Sequence, residues 1–311
     1  MQKFLYKALV VVALVAAIDL AVGWVSNRIF TRLDDRISQI GAIEQALLQK
    51  TADVVVLGSS CAKYNYDPRV FADTLQMTVQ NTGVGGMNII YSKIVLQAYL
   101  ERCTPKCAII DVYGQMNPGE GRVPRLKPFY GLSNAVTSYY DTESDWQQRL
   151  KLRSNLYRCN GTLDLLLRHN FNAPDTTCGF AFHQGVVEHF DTITVHEFQP
   201  DTVKARHLRE LVGICHEKNI LPVFVISPRR VHDADQEAWL IAACNELGAV
   251  LINEMHTPVY YDTPGLFFDE SHLNGNGAEI FSRRVASQLK RHLSAHQSGK
   301  ASHATDVESP Q

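Results

Sequence analysis

The run Val54-Val55-Val56-Leu57, closed by Gly58, most limits what this chain can fold into. Four consecutive aliphatic residues, three of them β-branched, suit a strand buried on both faces in the middle of a parallel sheet. Further short apolar runs lie at residues 78–81, 107–113, 222–226 and 249–252. Helical patterns separate them, over about 87–101, 202–218 and 233–247. A last one, from about Gly277, carries Phe281, Val285, Leu289 and Leu293 on one face. Strands alternating with helices predict an α/β domain over residues 53–296: a three-layer α/β/α fold around a five-stranded parallel sheet in flavodoxin-like order.

One connection is too long for a single crossover. Residues 118–200, rich in Tyr, Asn and Pro, read as an insert or cap between the third and fourth strands. Upstream of the domain, residues 8–25 are apolar except for Asp19, and Lys3 and Lys7 precede them. The run matches the ~20 residues that span a bilayer core. It reads as a transmembrane anchor over residues 1–26, with a signal peptide as the competing reading, although no clean small-x-small cleavage site follows. Asp19 is costly in lipid and points to a partner for the helix. Ile29, Leu33, Ile37, Ile40 and Leu47 then recur at helical steps, so residues 27–52 read either as a helical stalk or as a first packed helix. The polar tail 297–311 is expected to be disordered. Lys3 and Lys7 against Arg28, Arg32 and Arg36 do not by themselves favour a cytoplasmic N-terminus. The short basic head before an apolar run looks like an export signal. The expected location is therefore the inner (cytoplasmic) membrane, single-pass, with the domain on the extracytoplasmic, periplasmic side.

The 30 basic and 32 acidic residues nearly balance, and no block concentrates positive charge, so nucleic acid is not an expected partner. Seven cysteines suggest that an exported domain could pair Cys103 with Cys107 and Cys159 with Cys178. Paired C-x-x-C spacing is absent, and His183, His189 and His196 are not spaced as a metal cluster. Neither a metal nor another cofactor is expected.

In a parallel α/β sheet, ligands bind at the edge where the strands' carboxyl ends meet. The first strand delivers Gly58-Ser59-Ser60-Cys61 there. A serine at such a turn can offer its hydroxyl as nucleophile and its N–H to an oxyanion, or it can simply cap the next helix. The second strand delivers Asn81-Thr82-Gly83-Val84-Gly85-Gly86, whose glycines suit either backbone donors to an oxyanion or a tight turn. The third ends in Tyr113-Gly114-Gln115-Met116-Asn117, a source of a side-chain amide or a plain polar loop. The fifth leads to Asp269-Glu270-Ser271-His272. An aspartate three residues before a histidine can hold its Nδ1–H and leave Nε2 to take a serine proton.

In this order the motifs resemble the SGNH (GDSL-type) hydrolase superfamily over residues 53–293, with the insert unaccounted for. The resemblance implies Ser60 as nucleophile, His272 as base and Asp269 as its partner. It implies an oxyanion hole from Ser60, Gly86 and Asn117. Ser59 stands where the family has aspartate, and Asn117 lies one residue further from Gly114 than the usual Gly-x-Asn, with Gln115 as the alternative. Together with the anchor, the pattern is similar to bacterial membrane-attached SGNH proteins that acylate cell-surface polysaccharides beside a membrane-embedded acyl donor protein. The implied activity is that of an O-acetyl esterase or O-acyltransferase acting on a glycan or another acyl ester. The alternative is a catalytically silent SGNH-like domain that binds polysaccharide or a membrane acylation partner. Tyr64 and Tyr66 would stack on a sugar or pack the core. Arg229 and Arg230 would meet an anionic substrate or solvent. Cys61 is a rival nucleophile or a small buried thiol.

Overall fold

The computed structural model describes residues 1–30, 39–116, 123–160, 180–181, 183–186 and 191–307. The chain divides into two compact units: Met1–Gln49 with Val123–Asp175, and Lys50–Arg122 with Thr176–Gln311. The long insert is thus shared between them.

In the second unit the strands are β1 (Val54–Leu57), β2 (Val79–Asn81), β3 (Cys107–Asp111), β4 (Ile193–Val195), β5 (Leu221–Ile226), β6 (Val231–Asp233) and β7 (Val250–Asn253). Five of them form one sheet in the order β2-β1-β3-β5-β7, every pair parallel. Counting only these five along the chain gives the flavodoxin-like order 2-1-3-4-5. Every residue of β1, β3 and β5 is buried, as expected of strands covered on both faces. On one face Val54, Val56, Ile109, Val223 and Val225 pack with Phe281, Val285, Leu289 and Leu293 of the C-terminal helix Gly275–Val307. The alternate residues Val55, Ile110 and Phe224 serve the other face, where the helices Ile89–Leu100 and Thr202–Glu217 pack on each other and on the sheet. The result is the expected α/β/α layering.

Two features depart from the sequence reading. β4 and β6 pair in parallel as a separate two-stranded sheet. At three residues each they are too short for an alternation pattern to show. The C-terminal backbone stays helical to Val307, where a disordered tail was expected from 297. That stretch has no proline before Pro310, and serine, alanine, lysine and histidine continue a helix already nucleated by its packed half.

In the first unit, the helix Gln2–Phe30 is long and apolar enough to cross a membrane, with a mean hydropathy of 2.5 over its apolar window. Those properties fit a membrane span and a signal sequence alike. Asp19 finds its partner within the unit. Its carboxylate accepts from Ser154 Oγ (2.6 Å), Asn155 N (3.1 Å), Asn155 Nδ2 (3.0 Å) and Leu156 N (2.9 Å), capping the helical turn that starts at Asn155. Ile40, Ile43, Ala46 and Leu47 of the segment Gln39–Gln49 are buried, as in a packed helix rather than a bare stalk. Leu33 and Ile37 lie outside the described residues.

The expected Cys103–Cys107 disulfide is not formed, and both thiols are free. Cys107 opens β3 and turns into the hydrophobic core, away from the partly exposed Cys103. Cys178, the expected partner of Cys159, lies outside the described residues.

Candidate active site

β1 runs into the short helix Ser60–Asn65 through Gly58 and Ser59. A Cβ on Gly58 would lie 2.4 Å from the Ala62 Cβ and 3.2 Å from the Asp111 Cβ, so only glycine lets the turn close this tightly. The helix begins its bonding with Lys63 N donating to Ser59 O (3.1 Å). Ser60 is therefore the first helical residue, half-buried at the carboxyl edge of the sheet.

The loop before the C-terminal helix folds back on itself, with Phe267 bridging Leu273 and Phe268 N donating to His272 O (2.9 Å). Asn65 Oδ1 accepts from Leu273 N (3.0 Å) and ties this loop to the Ser60 helix. Asp269 Oδ1 accepts from the N–H groups of Ser271 (2.8 Å) and His272 (2.9 Å). Both carboxylate oxygens reach His272 Nδ1, at 2.9 and 2.8 Å. Burial works to raise the Asp269 carboxyl, but the His272 ring and the Ser271 N–H outweigh it and hold it below the usual carboxylate range. His272 Nε2 is buried and has no regular hydrogen-bond partner among the described residues.

Cys61 also acts on the imidazole. Burial presses the charged imidazole down, yet the neighbouring Cys61 sulfur, and after it Asp269, hold His272 up at about 9. The Cys61 thiol is 2% exposed. It donates to Ser271 O (3.4 Å) and accepts from Arg229 Nη2 (3.2 Å). No hydrogen bond joins Ser60 Oγ to His272 Nε2. The predicted Asp269–His272 pair is thus assembled, while the predicted Ser60–His272 bond is not made.

Beneath the turn lies a polar cluster that the sequence did not announce. Asp111, at the end of β3, is fully buried and accepts from Tyr66 Oη (2.8 Å) and Ser227 Oγ. Burial pushes its carboxyl up, against the pull of Ser227, Tyr66, Arg229 and His272. This corrects two expectations. Tyr66 has no exposure and serves Asp111, so it cannot stack on a sugar. Arg229 is 8% exposed, held between the Cys61 sulfur and the face of the Tyr113 ring 4.3 Å away, and is not free to meet an anionic substrate. Arg230 likewise covers the rings of Tyr261 and Phe267.

Of the oxyanion candidates, Gly86 is exposed at φ 74°, a left-handed conformation that suits glycine. Gln115 is excluded as the alternative amide: its Nε2 donates to Asp111 O (2.7 Å) and its Oε1 accepts from Ser92. Asn117 lies outside the described residues. Tyr64 does line the site, edge-on to His272 with ring centroids 5.5 Å apart. His183, considered in the sequence only as a metal ligand, stands between Tyr64 and Phe268, with centroids 3.8 Å from each. Burial, and then His272 6.1 Å away, keep its pKa low. No local pattern marks it, because it arrives from the insert. His189 lies outside the described residues, and His196 pairs with Asp235 on the surface.

No family model and no curated relative matches the chain. Among solved structures it is similar to an inferred lipolytic protein of the G-D-S-L family from Desulfitobacterium hafniense, at 11% identity and TM-score 0.38, covering 75% of this chain and 97% of that one. It is also similar to an inferred SGNH hydrolase from Slackia heliotrinireducens, at 12% identity and TM-score 0.41, covering 77% and 100%. A third is an inferred acylhydrolase from Bacteroides fragilis, at 12% identity and TM-score 0.41, covering 84% and 99%.

Proposed function

We propose that this chain is a membrane-anchored, serine-dependent acyl-ester enzyme of SGNH type. The observation that carries the reading is the state of His272: Nδ1 is fixed by Asp269, and Nε2 is buried with no hydrogen-bond partner among the described residues, at the edge where β1 presents Ser60. In this mechanism Nε2 takes the Ser60 proton as Oγ attacks the ester carbonyl. The N–H groups of Ser60 and Gly86, with the Asn117 amide, receive the oxyanion. His272 returns the proton to the leaving alcohol, and the acyl group on Ser60 then passes to water or to a sugar hydroxyl. The Ser60–His272 hydrogen bond would form on substrate binding, since catalytic hydrogen bonds are often completed only in the substrate complex. Acetyl is the acyl group proposed, and Tyr64 is the aromatic side chain placed to border a sugar. The apolar N-terminal helix favours work at the inner membrane, with the domain outside the cytoplasm and a membrane-embedded acyl donor as partner. The test is mass spectrometry of the purified protein with an acetyl donor and candidate glycans. Acetyl should appear on sugar or in solution, and not with Ser60→Ala or His272→Ala. Turnover unchanged in Ser60→Ala, or none in the intact protein, would count against the reading.

A second reading takes Cys61 as nucleophile, because its sulfur is the neighbour that does most to hold His272 charged. Access argues for Ser60: a thiol that is 2% exposed and bonded to Arg229 has no room for an incoming carbonyl. Full activity in Cys61→Ala supports Ser60, and its loss supports Cys61.

A further inference from the structure

Three side chains from separate elements converge beside the site. His232 is the middle residue of β6, Glu237 lies in the first turn of the helix Ala234–Leu247, and His256 follows β7. A ligand-capable atom of each lies within 4.8 Å of those of the other two. His256 Nε2 and Glu237 Oε2 are 2.9 Å apart, and the rings of His232 and His256 meet edge to face with centroids 5.2 Å apart. The other Glu237 oxygen accepts from Asn253 Nδ2 (2.7 Å), which fixes the carboxylate's orientation. His232 and Glu237 are each 8% exposed, while the His256 side chain is 62% exposed.

We propose that His232, Glu237 and His256 bind one divalent cation of the zinc type, with a coordination position left open toward solvent. Two imidazoles and a carboxylate are a recurrent donor set of zinc sites that keep a fourth position for water or an exogenous oxygen. Metal–ligand bonds of ~2.0–2.2 Å in a tetrahedron require donor atoms ~3.3 Å apart. His256 and Glu237 are already closer than that, so binding would draw His232 and that pair together by small side-chain rotations. A plain His256–Glu237 ion pair explains two of the three residues. It leaves the second, buried imidazole facing that pair, with only Thr194 Oγ1, 3.5 Å away, as a hydrogen-bond partner among the described residues. Asn253 supplies the supporting contact that ligating carboxylates commonly have. The start of β6 is bonded to the catalytic loop, with Arg230 N (2.8 Å) and Val231 N (3.5 Å) donating to Glu270 O. The ion would therefore stand on the same sheet edge as His272. The ligands are scattered along the chain, so no contiguous motif reveals them.

The test uses the full-length protein in detergent, stripped with chelator and titrated with zinc chloride by calorimetry. One zinc should bind per chain and raise the melting temperature. His232→Ala and His256→Ala should each weaken binding by about tenfold or more, and Cys61→Ala and His272→Ala should leave it intact. The exposed His256 can be replaced without disturbing the core, so His256→Ala alone decides if His232→Ala proves unstable. Absence of stoichiometric binding, unchanged affinity in His256→Ala, or loss of the ion in Cys61→Ala would overturn the proposal.

Discussion

Asp269 grips the His272 ring through both carboxylate oxygens, 2.9 and 2.8 Å from Nδ1, and also accepts the backbone N–H of His272. This fixes the tautomer and leaves Nε2 as the one nitrogen available for chemistry. Asp269→Asn places an amide against Nδ1 and removes that control. The turnover number on an acetate ester should fall roughly 10²–10⁴-fold with KM little changed. Steady-state kinetics on the two proteins measure this, and equal turnover would separate Asp269 from the reaction.

The pH profile follows from His272, held up at about 9 by Cys61 and then Asp269 against the effect of burial. A general base must be neutral, so turnover should rise with pH, roughly tenfold per unit, and level off above about 9. Cys61→Ala removes the leading upward contribution, and the inflection should move to lower pH. The stability effect has the opposite sense. The folded-state value lies above the unfolded ~6.5, so the charged ring stabilises the fold fully below that value, and this contribution is lost as pH climbs through about 9. Coincident profiles for the intact protein and Cys61→Ala would refute this coupling.

Asp19 makes a prediction that hydropathy alone would reverse. Asp19→Leu gives a more uniformly apolar helix, yet it removes the four hydrogen bonds accepted from Ser154, Asn155 and Leu156. Loss of such a cap costs about 1–2 kcal/mol. Thermal melting in detergent should show a lower midpoint, and proteolysis should cut faster near residues 154–160. A raised midpoint would mean that this contact does not hold the unit together.

Tyr66→Phe deletes a hydroxyl bonded to the buried Asp111 carboxylate. Removing one partner of a buried polar group costs about 1–3 kcal/mol. Denaturant unfolding should register that loss, while the rate on an acetate ester stays close to that of the intact protein. A large change in KM instead would return Tyr66 to the substrate site.

The sheet was legible because β1 and β5 are apolar throughout, β3 is apolar up to Asp111, and helix-length patterns separate them. Phe281, Val285, Leu289 and Leu293 announced the buried face of the last helix for the same reason. The Asp269–His272 pair was legible because its geometry is local, one turn of chain. What the sequence could not resolve is direction. Ser60 and Cys61 are consecutive in a helix, about 100° apart around its axis, and nothing in Gly58-Ser59-Ser60-Cys61 tells which side chain meets His272. Tyr66 and Arg229 read as edge residues by position, but the buried Asp111 and Cys61 turn them inward. His183, and the group His232, Glu237 and His256, are brought in by tertiary packing across long stretches of chain, which periodicity does not encode.

The central claim is that Ser60 is the nucleophile. A fluorophosphonate probe followed by peptide mapping tests it most directly. The account predicts an adduct on Ser60 in the intact protein and in Cys61→Ala, strongly reduced in His272→Ala and absent in Ser60→Ala. An adduct that persists in Ser60→Ala, or no labelling of the intact protein, would contradict it.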